Sequence, residues 1–289
     1  MSTIPTTRSS VFSGVAPAEP ITEITPALRG WSDLLGSIWA RREIVFYLAL
    51  RDIRVRYHQT ALGSLWAIMQ PLAATLVFAV VFGRLVKIST GETPYPIFVL
   101  TGMLPWQFMA GAIQRSSASL VANGAMIKKV YFPRLAVPTA TVATALIDFC
   151  IGCVVLVGLM AYYDVTLTVR IAMVPAMLLL CGGLSLGIGL LLASINCRFR
   201  DVTQGIGFAM QMWMFLTPIV YPFSMVPERF QAYVRLNPMT GVICGFRTAL
   251  LDAPLDTTAL LVSVSYAALF LVVGGAAFRR AERGVADLL

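Results

Sequence analysis

The stretch IAMVPAMLLLCGGLSLGIGLLLASI, residues 171–195, decides the fold, because it contains no Asp, Glu, Lys, Arg or His. A helix in a water-soluble domain needs only one apolar stripe. This segment is apolar nearly all round, and about 20 such residues cross the hydrocarbon layer of a bilayer. Five further stretches read the same way: Ala61–Gly83, Pro96–Ile113, Ala136–Tyr163, Val202–Tyr221 and Ala259–Phe278. The 289-residue chain is 58% hydrophobic and 12% charged, with a mean hydropathy of +0.79; soluble domains carry about 25% charged residues. The expected fold class is an all-α integral membrane protein with six transmembrane helices and no room for an additional soluble enzyme domain.

Charge orients the spans. Of the 22 Lys and Arg, only Arg84, Lys87, Arg170, Arg229, Arg235 and Arg247 fall on one side; the rest fall on the other. Basic residues collect on the cytoplasmic side, so both termini are expected there. The net charge of +8 is then read as facing anionic headgroups, with no nucleic-acid partner. Residues 1–30 are rich in Ser, Thr and Pro without an apolar h-region, which predicts a disordered tail and no signal peptide before a six-span membrane domain over 31–289.

Two regions depart from the simple pattern. The apolar run 44–50 is too short to cross and lies among Trp31, Trp39, Tyr47, Tyr57, Arg41, Arg42, Arg51, Arg54 and Arg56, which predicts an N-terminal interfacial amphipathic helix. Residues 222–258 contain Pro222, Pro227, Pro238 and Pro254. Between them Leu236–Leu251 is apolar but short and carries Arg247, so a re-entrant or interfacial helical hairpin on the outer face is expected between spans 5 and 6. A seventh span there would put Arg279, Arg280 and Arg283 outside, against the positive-inside rule. Gly183 and Gly187 have the small-xxx-small spacing of close helix packing, within or between subunits.

Much chemistry is excluded. Cys150 and Cys153 sit in an apolar run without a nearby His, and His58 is the only histidine, so neither a disulfide framework nor a His-rich metal site is expected. There is no G-x-x-x-x-G-K-[ST] phosphate loop and no H-E-x-x-H helix, and no pair of acids at helical spacing lies at a membrane face. The expectation is a non-enzyme that binds no metal or cofactor. Asp148, inside the third span, stands out because an acid in lipid is costly and by default functional. It reads either as an ion site or as a packing acid between helices or beside a wet cavity.

Blocks around the spans supply a resemblance. Arg51-Asp-Ile-Arg-Val-Arg-Tyr57 is followed by Leu62-Gly-Ser-Leu-Trp66 and Gln70-Pro71. Then come Pro94-Tyr-Pro-Ile-Phe98 with Gly102-Met-Leu-Pro-Trp106, Lys128-Lys-Val-Tyr-Phe-Pro-Arg134, Arg198-Phe-Arg-Asp-Val202, and an ending from Phe278 through Glu282 to Ala286-Asp287. In this order they resemble type-2 ABC-transporter permeases that export polysaccharide, over about residues 34–289. The resemblance implies a homodimeric six-span channel in the bacterial inner membrane. Two copies of a separate ATPase subunit would hold ATP and Mg, and the cargo would be lipid-linked polysaccharide, O-antigen first, with capsule or teichoic acid as alternatives.

The resemblance also distributes roles. Lys128, Lys129, Tyr131, Phe132, Pro133 and Arg134 would belong to a coupling segment that docks on the ATPase, with Arg198, Arg200 and Asp201 as a second contact or a local ion pair. Arg51, Asp52, Arg54, Arg56 and Tyr57 would lie on the interfacial helix, where ATPase closure pushes on span 1. Trp66, Trp106, Phe108, Asp148, Trp213, Phe215 and Tyr221 are the candidates for facing sugar in the pore, because aromatic faces suit the apolar C–H patches of sugar rings. A drug or small-lipid exporter, an ion-coupled transporter using Asp148 and a membrane-embedded transferase are the competing readings.

Overall fold

The computed structural model describes residue 36 and residues 42–58, 65–91, 93–129, 133–199 and 201–282. The tail 1–30, expected to be disordered, lies outside the described residues. Regular structure among the described residues is entirely helical. In chain order the helices are α1 (Arg42–His58), α2 (Leu65–Phe78, continued by a π-helical turn Ala79–Leu85), α3 (Tyr95–Ala122) and α4 (Gly124–Lys129). They continue as α5 (Ala136–Tyr162), α6 (Val174–Asn196, entered through a 3-10 turn Val169–Met173), α7 (Val202–Leu216), α8 (Glu228–Arg235), α9 (Pro238–Leu251) and α10 (Thr257–Glu282).

Five helices are long and apolar enough to cross a membrane: α2 with its π-helical end, α3, α5, α6 with its 3-10 entry, and α10. The predicted fifth span is the exception. Its helix α7 has 15 residues, about 22 Å at ~1.5 Å per residue against a hydrocarbon layer of roughly 30 Å. It stops at Thr217, whose backbone is extended, because the residue before a proline, here Pro218, is driven out of the helical region.

The second span runs longer than the apolar pattern, through Gln114–Ala122. Its serines do not end the helix: Ser117 and Ser119 donate their hydroxyls to the carbonyls of Gln114 and Ser116 one turn back. α3 is the central helix, with 83% of its apolar window buried in the protomer against 11% for α2. Ile97, Leu100, Met109 and Ile113 of α3 share the main core with Leu184 of α6 and with Met239, Ile243 and Phe246 of α9.

The 222–258 region forms two short helices, α8 and α9. α9 has 14 residues, about 21 Å, too short to cross. It is buried from Met239 to Ala249 except at Cys244, capped at its start by Asn237 and stopped by Asp252 in the left-handed conformation, φ 58°. Where α6 and α10 cross, Gly187 and Gly274 lie backbone to backbone and leave no room for a Cβ, while Gly183 faces the Leu271 side chain. The small-residue spacing on α6 thus serves packing within the chain.

Candidate functional site

At the end of the bundle that carries the predicted coupling segment, α3 stops at Asn123, whose amide nitrogen donates to the carbonyl of Ser119. α4 starts at the next residue, and α5 follows a short connection. The interfacial-helix residues reach into this corner. Arg51 of α1 binds the Asp52 carboxylate at 2.7 Å, the Asn123 side-chain oxygen at 2.8 Å and the Met126 sulfur at 3.3 Å. One guanidinium therefore fastens α1 to the end of α3 and to α4. Its planar fork allows this, where an ammonium would offer a single point charge.

α1 also runs along α5. Leu48 and Ala49 pack on Ala136, Val137 and Ala140. Further along both helices Arg56 meets Asp148 at 2.6 Å, and Arg115 of α3 meets the same carboxylate oxygen at 3.4 Å. Asp148 thus sits between two guanidinia where three helices meet. A cavity of about 480 Å³ opens beside the cluster, lined by Arg51, Asp52, Arg56, Arg115, Asn123 and Thr144 among others. Arg54 of α1 is exposed.

The rest of the predicted coupling set is placed unevenly. Pro133 is partly exposed, and Arg134 donates to the backbone carbonyl of Glu282, tying the connection to the end of α10. Tyr131, Phe132 and Arg200 lie outside the described residues, as do the side chains of Tyr57, Trp66, Lys128 and Lys129. Arg198 is exposed and lies over the Phe199 ring at 5.6 Å. Asp201 precedes α7 and makes no side-chain cap. Among the described residues no ion pair joins Arg198 to Asp201.

The aromatic candidates divide. Trp106 and Phe108, both 4% exposed, lie inside the protomer. Trp106 stands edge-on to Trp213 at 5.7 Å, and Phe108 packs on Phe149 at 5.9 Å. Trp213 donates its indole N–H to Asn237, Tyr221 is partly buried, and Phe215, 53% exposed, is on the surface. Phe208, Met212, Phe215 and Leu216 form one exposed stripe on α7.

Three polar residues that sequence reasoning did not single out hold the elements together. Asn196 donates to the Ser117 carbonyl and accepts from Thr203, joining α3, α6 and α7. Asn237 caps α9 while binding Trp213 and Thr217 at the end of α7. Arg247, counted by sequence only as an outer basic residue, is 5% exposed and donates to the carbonyls of Pro218 at 2.8 Å and Ile219 at 2.6 Å. Their partners are distant in the chain, and no local pattern announces them.

Comparison with known proteins matches residues 43–251 to the ABC-2 type transporter family, most of the chain. This protein is a member of that family, whose permeases are membrane components without catalytic activity of their own and work with a separate ATPase subunit. Among its relatives, the O-antigen export system permease protein RfbA of Klebsiella pneumoniae is 26% identical over 250 residues, 86% of this chain and 95% of the relative. The polysialic acid transport protein KpsM of Escherichia coli is 26% identical over 249 residues, 82% of this chain and 93% of the relative. The capsule polysaccharide export inner-membrane protein CtrC of Neisseria meningitidis is 26% identical over 220 residues, 72% of this chain and 79% of the relative.

Proposed function

We propose that the chain is the channel-forming subunit of an ATP-driven exporter that moves lipid-linked polysaccharide across the bacterial inner membrane. O-antigen is the first choice of cargo and capsule the second, following the names of the relatives that align over most of the chain. In this reading α7, extended by Thr217–Tyr221, completes six spans, both termini are cytoplasmic, and two copies enclose the pore. Each copy docks one ATPase subunit. ATP and Mg would belong to that subunit, since this sequence has no phosphate loop.

The observation that carries the reading is the bridge from Arg51 to Asn123 and Met126. A push by an ATPase on the 123–134 segment is passed by Arg51 to α1. The Arg56–Asp148 pair passes it on to α5. Binding energy gained when ATP closes the partner subunits thereby shifts the channel between closed and open arrangements. The exposed Phe215 and the partly buried Trp213 and Tyr221 are proposed to face the sugar, with Trp106 packed edge-on behind Trp213.

The test is reconstitution of the permease with its ATPase in liposomes. Arg51→Ala should leave the complex intact but reduce ATP-dependent glycan export about tenfold, since the bridge transmits motion without forming the docking surface. Export at the wild-type rate by this variant would remove the proposed path.

A further inference from the structure

At the end of the bundle opposite the coupling segment, a cavity of about 850 Å³ lies between the connection after α2, the start of α3 and the 222–257 hairpin. Its volume suits a ligand of one or more sugar units. Two guanidinia stand in its wall. Arg247 lies flat on the Phe98 ring with its central carbon 3.6 Å from the centroid. Arg235 lies on the Phe223 ring at 5.0 Å and pairs with Asp256 at 2.8 Å. Among the described residues lining the cavity, Asp256 is the one carboxylate against two guanidinia, and it is paired with Arg235.

Arg247 is the decisive group. It is held by the carbonyl oxygens of Pro218 and Ile219 and more distantly by that of Phe98. Its Nε–H is buried with no acceptor. A buried cation met by dipoles instead of a carboxylate keeps its field, and in surroundings of low dielectric that field is strong. Hydroxyls of Ser89, Thr90, Thr93 and Ser224 occupy other parts of the wall. Both rings already carry a guanidinium on one face, so the cavity is built less for stacking a neutral sugar than for holding an anion among hydroxyls.

We propose that this cavity binds an anionic sugar unit, one bearing a carboxylate or phosphate. The guanidinium of Arg247 would take the acid group, and the Ser and Thr hydroxyls would take the ring hydroxyls. Calling this unit part of the exported glycan rests on the function proposed above; the binding itself does not.

The experiment titrates the purified full-length permease, in nanodiscs of neutral phosphatidylcholine without an ATPase, by calorimetry. The probes are a glucuronate trisaccharide, a glucose trisaccharide and a short-chain phosphatidylglycerol. The acidic trisaccharide should bind at least about tenfold more tightly than the neutral one, and Arg247→Met should abolish the difference. Because that variant removes a buried group, Ser89→Trp, which fills the cavity from an exposed position, is the second arm and should abolish binding while leaving the thermal transition unchanged. Equal binding of the two trisaccharides, no binding, binding that survives Ser89→Trp, or binding of phosphatidylglycerol alone would each overturn the proposal. A failed export assay with intact acidic-sugar binding would instead count against the transport reading.

Discussion

Two polar centres stand at opposite ends of the same bundle and solve the problem of charge differently. Near the proposed coupling segment Asp148 is held between Arg56 and Arg115, a charge answered by charges on two other helices. At the far end Arg247 is answered by backbone carbonyls and an aromatic face, and among the described residues no carboxylate pairs with it. An ion pair between separate helices joins elements that can move apart, because both partners can be hydrated when separated. A cation locked onto carbonyls fixes the backbone that supplies them, here the Thr217–Ile219 break after α7, and leaves a net positive field. The first arrangement suits the transmission of motion and the second suits the holding of a ligand. They also bear on the ion-coupled reading of Asp148, whose carboxylate oxygen is already shared by two guanidinia from other helices.

The comparison predicts its largest stability effect at Arg247. Arg247→Met takes the donors from two buried carbonyls and unfixes the end of α7, which should lower stability by about 3 kcal/mol, since hydrogen bonds from charged donors are worth roughly 1.5–3 kcal/mol each. Thermal unfolding in detergent would show it as a clearly lowered midpoint. An unchanged midpoint would mean that the carbonyl cradle contributes nothing and that the contrast between the two centres is false.

Asp148→Asn should cost less, on the order of 1 kcal/mol, because Arg56 is 43% exposed and water screens the pair. Its distinctive consequence is functional. ATP-driven export should fall while remaining insensitive to collapse of the proton gradient, and the double-mutant cycle with Arg56→Ala should show a coupling of about 1 kcal/mol. Export abolished together with a loss of proton-dependent uptake would return Asp148 to the role of an ion site and separate it from the clasp.

How much of this was readable beforehand differs between the two centres. Five of the six long spans were legible because a bilayer demands uninterrupted apolar length, and the short helix Pro238–Leu251 was legible because prolines bracket a run too short to cross. Residues 171–195 and Pro238–Leu251 needed no partner to be interpreted. Arg115 was not legible: serines after Ile113 read as a connection, yet their hydroxyls bond back to the helix and carry α3 on to Ala122. Arg51 reaches Asn123 and Arg247 reaches Phe98 across most of a domain in sequence. Such contacts are set by how helices cross, which one strand of sequence does not encode locally. The resemblance in the ordered blocks named the family correctly, but it could not say that Trp106 and Phe108 would face inward.

The smallest effect, and the sharpest test of charge at the Arg247 end, concerns Asp256 beside Arg235. Burial alone would raise its carboxyl, but the Ala259 amide, the Arg235 guanidinium and the Thr258 amide outweigh burial and hold it below the usual carboxylate value. An acid with a depressed folded pKa contributes stability that is present above its unfolded value, about 3.9, and lost as pH falls through the folded one. The gain should stay under about 1 kcal/mol because Arg235 is 38% exposed. Asp256→Asn keeps an oxygen for the Ala259 amide and removes only the charge. Melting midpoints of wild type and variant should therefore differ by a small constant above about pH 5, begin to approach each other near the unfolded value of about 3.9, and converge as pH falls through the lower folded value. A variant more stable than wild type above about pH 5, with the gap closing on acidification, would mean that the Asp256 charge is unfavourable in the folded state and that Arg235 does not answer it.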